Sequence, residues 1–213
     1  NSSHYQNPKH RYSASGTYTV SLTVTNAGGT NTLTKSEYIT VIPGTYITTQ
    51  TGSFTDSRDG KTYKTVTIGA QTWMAENLAY LPSVSPSSEG SNTDPYYYVN
   101  GYQGISVSEA KASSNYETYG VLYNWPAAME ACPDGWHLPT DEEWKILEMH
   151  LGMSQAEADD GGWRGSDEGG KLKETGTTHW NSPNTGATNE SGFTALPGGY
   201  RNYNGSFYYI GGL

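Results

Sequence analysis

The sequence predicts an α+β domain preceded by a separate unit of β-strands, on three observations. Tyr18, Val20, Leu22 and Val24 alternate strictly with Thr19, Ser21, Thr23 and Thr25, and a period of two marks a strand with one buried and one wet face. Thr140 is followed three residues later by Glu143, ahead of Trp144, Leu147 and Leu151, which is a capping box opening an amphipathic helix. The chain then returns to aromatic β segments around Asn204-Gly205, a hairpin signal. Strands, then helices, then strands is the α+β order.

Composition narrows the function classes. Gly, Thr, Ser and Asn supply 88 of the 213 residues, with 18 Tyr and 6 Trp against 3 Phe, so the core is aromatic and hydroxyl-rich and suits short strands joined by long loops. The net charge is −9 with 12 Lys and Arg, and no basic cluster offers the electrostatic footprint of a nucleic-acid binder. No apolar run in the sequence reaches the roughly 20 residues of a membrane span. A single cysteine, Cys132, rules out an internal disulfide framework and a CxxC zinc site. The chain opens on Asn1 with no visible signal peptide, and the expectation is a piece of a longer protein.

In residues 1–43, the first strand ends at the turn cluster Asn26-Ala27-Gly28-Gly29, and residues 30–33 and 38–42 form the return. Two or three strands do not make a stable sandwich, so half of this unit is expected upstream. The run Tyr12-Ser13-Ala14-Ser15-Gly16-Thr17-Tyr18-Thr19-Val20, with residues 22–29, resembles the C-terminal half of a PKD domain. That resemblance implies an immunoglobulin-like β-sandwich serving as an extracellular spacer or interaction module.

Pro43-Gly44 breaks the strand, and residues 44–53 read as a polar linker. The second unit, residues 54–213, begins with a hairpin punctuated by Asp59-Gly60 and strands carrying Tyr63, Val66 and Ile68, then Thr72-Trp73-Met74. Residues 81–95 lack periodicity and read as loop, and residues 96–99 as a short strand. A helix is predicted over 119–131, with Val121, Leu122, Trp125, Ala128 and Met129 on one side and Pro126 kinking it. The capped helix from Thr140 ends at Gly152, and Ser154 with Glu157 caps a further turn. In the terminal hairpin a two-residue Asn-Gly turn sets Tyr203 opposite Ser206, Arg201 opposite Tyr208 and Tyr200 opposite Tyr209.

Residues 131–144, Ala-Cys-Pro-Asp-Gly-Trp-His-Leu-Pro-Thr-Asp-Glu-Glu-Trp, carry the second unit's signature, together with runs at 61–78, 118–125, 169–174 and 192–201. These five motifs closely resemble the Fibrobacter succinogenes major paralogous domain, over roughly residues 54–213. The Gly-Trp-x-Leu-Pro-Thr-x-x-Glu-Trp core is also similar to the C-type-lectin-like and formylglycine-generating-enzyme folds. Physically, a strand is expected to end at Leu138, with Pro139 stopping it and Trp144 pinning the helix to the sheet. The resemblance implies a secreted or surface-attached bacterial protein. It also implies that the domain's C-terminal strands are missing here, and that in the parent Cys132 bridges to one of them, as secreted proteins favour.

Catalysis finds little support. Formylglycine-generating enzymes need paired cysteines, and only Cys132 is present. No Gly-x-Ser-x-Gly elbow, phosphate loop or dinucleotide fingerprint occurs. None of the five histidines stands at metal spacing with another His or Cys, and His137 is expected to point off the core. No cofactor is expected, although Asp56, Asp59, Asp159, Asp160, Asp167 and Glu168 form oxygen-rich loops of the kind a structural calcium uses.

The expected function is therefore non-catalytic binding or display at a bacterial surface or outside the cell, with a glycan or an extracellular protein as partner. A purely structural repeat of a stalk or surface layer is the alternative. The binding residues are expected to be Trp163 and Trp180 in the Gly-rich loops, with Arg201, Tyr203 and Tyr208 on the hairpin. Aromatic faces beside amides and a guanidinium suit sugar rings and protein hot spots. Burial of both Tyr203 and Tyr208 would make the hairpin core and remove the site.

Overall fold

The computed structural model describes residues 16–41 and 50–212, and the chain divides into two compact units, Asn1–Thr48 and Thr49–Leu213. The start of the sandwich piece, the break at Pro43-Gly44 and residues 44–49 of the expected linker lie outside the described residues.

The first unit is a long antiparallel hairpin of β1 (Gly16–Asn26) and β2 (Gly29–Val41). The period-two pattern sorts hydroxyl and apolar side chains onto two faces, but the apolar face is not the buried one that the alternation predicts. On one, hydroxyls pair across the strands as Ser21–Thr34 at 2.9 Å, Thr23–Thr32 at 2.9 Å and Thr25–Thr30 at 3.0 Å. On the other, Leu22 stands opposite Leu33, flanked by Val20 and Val24. This apolar face is exposed, with Leu22 at 63% and Leu33 at 61%. The return strand is continuous, and its weak middle has a structural cause. The register shifts between Tyr18 and Val20, and Glu37 takes φ 53°, so the chain bulges there.

The second unit opens with an antiparallel meander. It consists of β3 (Gln50–Thr55), β4 (Thr62–Ile68) and β5 (Gln71–Met74), hydrogen-bonded in the order β3-β4-β5. Residues 50–53, expected as linker, are the start of β3 because each pairs with β4. After the long loop come β6 (Tyr97–Tyr98), α1 (Val107–Lys111), α2 (Ser114–Tyr119), β7 (Leu122–Tyr123) paired with β6, and α3 (Trp125–Ala131). The predicted helix over 119–131 thus shortens to Trp125–Ala131. Asn124 is its N-cap, accepting from the Ala127 N–H, and Pro126 sits in the first turn, where its missing donor costs nothing. The buried side is Ala127 and Ala131, while Trp125 and Met129 are exposed, so the expected face is the wrong one.

Residues 132–140 are irregular rather than a strand ending at Leu138. The capping box is formed: the Glu143 N–H donates to Thr140 Oγ1, and the Thr140 N–H donates to Glu143 Oε2 at 2.8 Å. It opens α4 (Asp141–His150), followed by α5 (Gln155–Ala158) with its own box from Ser154 and Glu157. Then come α6 (Glu168–Leu172) and the hairpin of β8 (Gly198–Arg201) and β9 (Phe207–Ile210).

Two cores hold this unit. In one, α4 lays Leu147 and Leu151 on Val66, Ile68 and Trp73 of the sheet, and the Trp144 ring sits 4.9 Å from Trp73. The other is built on tyrosines. Tyr63 Oη accepts from the Ala79 N–H at 3.1 Å, Tyr116 Oη donates to the Ala79 carbonyl at 2.8 Å, and Tyr123 Oη donates to the Tyr80 carbonyl at 2.9 Å. Burial pushes the Tyr63 phenol up to about 12. A hydroxyl-rich core is stable because each ring buries area while its hydroxyl satisfies loop backbone.

Candidate functional site

The β8–β9 hairpin carries most of the expected site, in a register one residue from the predicted one. Tyr200 stands opposite Tyr208 and Arg201 opposite Phe207. The Asn202 N–H donates to Ser206 O at 2.9 Å and the Gly205 N–H to Asn202 O at 2.9 Å, so the loop is Tyr203-Asn204-Gly205 with Gly205 at φ 83°. This is a three-residue loop that ends on a left-handed glycine. Asn-Gly signals both loop types, which is why the sequence alone misplaced the pairing.

The shift regroups the side chains. Tyr200 and Tyr208 share a face, with ring centroids 5.7 Å apart, instead of lying on opposite faces. Tyr209 joins them, its ring stacked 5.8 Å from Tyr200 at an interplanar angle of 26°. In a regular strand residues 208 and 209 would face opposite ways. Here Tyr209 takes φ 58°, opposite Gly199 at φ 67°, and the irregularity brings both rings to Tyr200. A Cβ at Gly199 would collide with the Tyr208 carbonyl oxygen, so the position requires glycine. Tyr203 at the loop tip is 92% exposed, and Tyr200, Tyr208 and Tyr209 are exposed as well. Hydrogen bonds from Asn204 and Ser206 hold the Tyr208 phenol below its ordinary range.

The other expected residues fare differently. Arg201 is a clamp: its guanidinium donates to the Ser87 and Glu89 carbonyls and lies over the Tyr98 ring. Trp180 is buried; its indole N–H donates to the Ala195 carbonyl at 3.0 Å, and Lys173 Nζ lies 4.2 Å from its ring centre. Its place in a Gly-rich loop suggested exposure, but its long-range bond puts it in the packing. Trp163 is 92% exposed, but the adjacent Arg164 pairs with Glu148 of α4 at 2.8 Å, whereas the hairpin is tied to the 87–98 region. Tyr200 and Tyr209 complete the exposed set and were missed with the register.

The oxygen-rich loops are otherwise engaged. Asp56 is fully buried and bound by Arg58, Asp159 by Lys145 and Asp167 by Lys171. Glu168 accepts the N–H groups of Ser166 and Asp167. Among the described residues no group of three or more His, Cys, Asp or Glu side chains is placed to hold a metal. His137 is exposed as expected, its Nε2 2.8 Å from Glu143 Oε1.

A second feature was not legible in the sequence. A cleft of about 560 Å³ runs beside β5, lined by residues that include Trp73, Trp136, Leu138, Trp144 and Phe193. Cys132, the free thiol, also lines it, and burial pushes its pKa up.

Fold and surface together define a modular protein: a β-hairpin unit, then a mixed helix-and-strand unit that displays an aromatic hairpin. The family model of the Fibrobacter succinogenes major domain matches residues 66–212, and that of the PKD domain matches residues 1–41. The chain belongs to the Fibrobacter succinogenes major domain family and carries a PKD-type segment at its N-terminus. No curated protein and no solved structure matches it. Both families are typical of extracellular or surface proteins. Among the described residues no helix is long and apolar enough to cross a membrane.

Proposed function

We propose that this chain is a non-catalytic binding module of a bacterial cell surface or secreted protein, with a C-type-lectin-like second unit, and that its tyrosine hairpin contacts a glycan or an extracellular protein. The observation that carries the reading is the exposed cluster of Tyr200, Tyr208 and Tyr209 with Tyr203 at its tip. Rings presented to solvent beside the amides of Asn202 and Asn204 offer stacking faces and hydrogen-bonding groups together, which sugar rings and protein hot spots both use. Arg201 supports the reading from beneath, because clamping the strand to residues 87–89 fixes the rings before a ligand arrives. The non-catalytic half rests on Cys132, a lone thiol with a raised pKa, which is the reverse of an activated nucleophile.

The test is a glycan array and a panel of immobilised extracellular matrix proteins probed with the 213-residue chain and with a Tyr200→Ala/Tyr203→Ala double variant. Saturable binding that the variant loses while keeping its melting temperature supports the module. Binding that the variant retains in full moves the site elsewhere. An absence of binding on both panels favours the structural stalk.

A further inference from the structure

Beside Tyr200 the surface sinks into a small notch, and we propose that it is an anchoring subsite for an acidic sugar: one uronate residue of a longer glycan, with its carboxylate on Arg201. The proposal rests on the tyrosine hairpin being a glycan-binding surface and names the sugar class that this surface selects. The notch holds about 160 Å³, about half the lower bound of roughly 300 Å³ for a site that encloses a whole small ligand. It therefore takes one ring of a ligand whose remainder lies outside. Tyr98, Leu122, Tyr123 and Asn124 supply one part of the lining, and Tyr200 and Arg201 of β8 the rest. Those two stand next to the loop of the hairpin. The chain leaves β9 at the opposite end, where the Gly211 N–H donates to Pro197 O at 3.0 Å.

The side-chain polar groups of the lining are engaged, with one exception. Asn124 Oδ1 accepts the Tyr96 and Ala127 N–H groups, and its Nδ2 donates to the Ser91 and Asp94 carbonyls. The Tyr98 and Tyr123 hydroxyls donate to the Glu89 and Tyr80 carbonyls. A peptide segment brings backbone amides that need partners, and these side chains have none to give. The exception is Arg201. Its Nε and Nη2 donate to the Ser87 and Glu89 carbonyls, and its Nη1 has no partner among the described residues. Nor does a described carboxylate pair with it, whereas Arg58 binds Asp56 and Arg164 binds Glu148. Gly90 keeps Nη1 uncovered, since a Cβ there would stand 3.0 Å from it. A half-buried guanidinium with donors to spare suits an anionic oxygen. The Tyr200 ring, 45% exposed, offers beside it a face on which the C–H side of a pyranose stacks. A uronate carries both features on one ring. One charge opposes it. Burial raises the Tyr98 phenol, Arg201 counters the rise and Glu89 adds to it, so the exposed Glu89 carboxylate is within electrostatic reach of the notch.

The experiment titrates the 213-residue chain with tetragalacturonic acid, with its methyl ester and with tetraglutamate, by calorimetry. The acid should bind about tenfold more tightly than the ester, the scale of one charge-assisted hydrogen bond. Gly90→Ala, on an exposed loop, crowds Nη1 and should bring the acid down to the affinity of the ester. Glu89→Gln removes the repelling charge and should tighten the acid while leaving the ester unchanged. Equal affinity for acid and ester overturns the uronate subsite. So does tighter binding of tetraglutamate than of the acid, or an unchanged affinity for the acid in both variants. If acid and ester bind alike and both are lost in the Tyr200→Ala/Tyr203→Ala variant, the glycan-binding hairpin stands without this subsite. If neither sugar binds, the subsite falls, and the glycan array and matrix-protein panel decide the hairpin separately.

Discussion

Arg201 holds its guanidinium 4.8 Å from the centre of the Tyr98 ring, and the two side chains converge on one acceptor. Arg201 Nη2 donates to the Glu89 carbonyl at 2.8 Å and Tyr98 Oη donates to it at 2.7 Å. Two further bonds from Arg201 reach the Ser87 carbonyl at 3.1 and 2.5 Å. A planar fork satisfies several carbonyls and stacks at once, which an ammonium does not. Arg201→Ala is expected to lower stability by about 2 kcal/mol, the scale of losing charge-assisted hydrogen bonds, and to speed amide exchange at Tyr200 and Tyr208, the hydrogen-bonded pair of the hairpin. Arg201→Lys should recover little of either. A chemical denaturation curve with residue-resolved exchange checks this.

Tyr203 carries the opposite expectation. Its side chain is 92% exposed, so Tyr203→Ala should leave stability within about 0.5 kcal/mol of the parent. A loss well beyond that in urea denaturation would show that the loop-tip ring is packed after all.

The capping box at α4 yields a pH prediction. Bonds from the Thr140 N–H, from His137 and from the Thr140 hydroxyl hold the Glu143 carboxyl down at about 2. A depressed carboxylate stabilises the fold above its unfolded pKa of about 4.3, and the contribution is lost as pH falls from there through about 2. NMR titration should place Glu143 well below the ordinary glutamate value of about 4.3, and His137→Ala should raise it. Thr140→Ala should cost about 0.5–2 kcal/mol, the loss of an N-cap, read as a lower denaturant midpoint.

How much the sequence revealed follows from how local each signal is. Thr140 with Glu143, and Trp144 with Leu147 and Leu151, act within a few turns of one helix, and the structure has them as read. The Ser21–Thr34 ladder likewise follows from alternation alone. Errors arise where one pattern fits two geometries. Asn204-Gly205 serves both a two- and a three-residue loop, and a shift of one pair moved Tyr208 to the Tyr200 face. Pro126 fits a kink or a first turn, and only Asn124 as the cap decides it. The cleft was illegible because residues from Ala70 to Phe193 assemble it, and no window of sequence holds that.

Trp180 tests whether the Gly-rich loop is ordered by a single bond. Its indole N–H is the donor to the Ala195 carbonyl at 3.0 Å, and Ala195 bridges in parallel to Lys173. Trp180→Phe keeps an aromatic ring under Lys173 but leaves that lone pair without its donor. The expected cost is about 0.5–1.5 kcal/mol, the net worth of one hydrogen bond, because the Ala195 carbonyl keeps the Glu174 amide as a donor, and that amide should exchange faster. An unchanged denaturation midpoint would falsify the structural role and return Trp180 to the list of exposed candidates.

Asp56 and Arg58 make the last prediction, since the same carboxylate lies in one of the oxygen-rich loops of the kind a structural calcium uses. Asp56 is fully buried, with Arg58 Nη2 at 2.7 Å and Nε at 2.9 Å, and it also accepts the Arg58 N–H at 3.0 Å. Arg58 extends to the Ala131 carbonyl at 2.8 Å, and its guanidinium stacks 3.7 Å from the Tyr80 ring centre. One pair thus shapes the β3–β4 loop and caps the C-terminus of α3, where a cation is favoured. The side-chain bond from Arg58 holds the Asp56 carboxyl below its ordinary range. Its stabilisation is therefore full above about pH 3.9, the unfolded value, and is lost as pH falls below it. Asp56→Ala should cost about 3 kcal/mol. That is the lower end for breaking a buried pair, because Arg58 keeps about a quarter of its side chain in water. Asp56→Asn, which retains the turn acceptor but not the charge, should cost less and should flatten the stability curve below about pH 4. Millimolar calcium added to the wild type should leave the melting temperature unchanged, because the carboxylate already has its cation. A calcium-dependent rise that Asp56→Asn abolishes would instead make Asp56 a ligand.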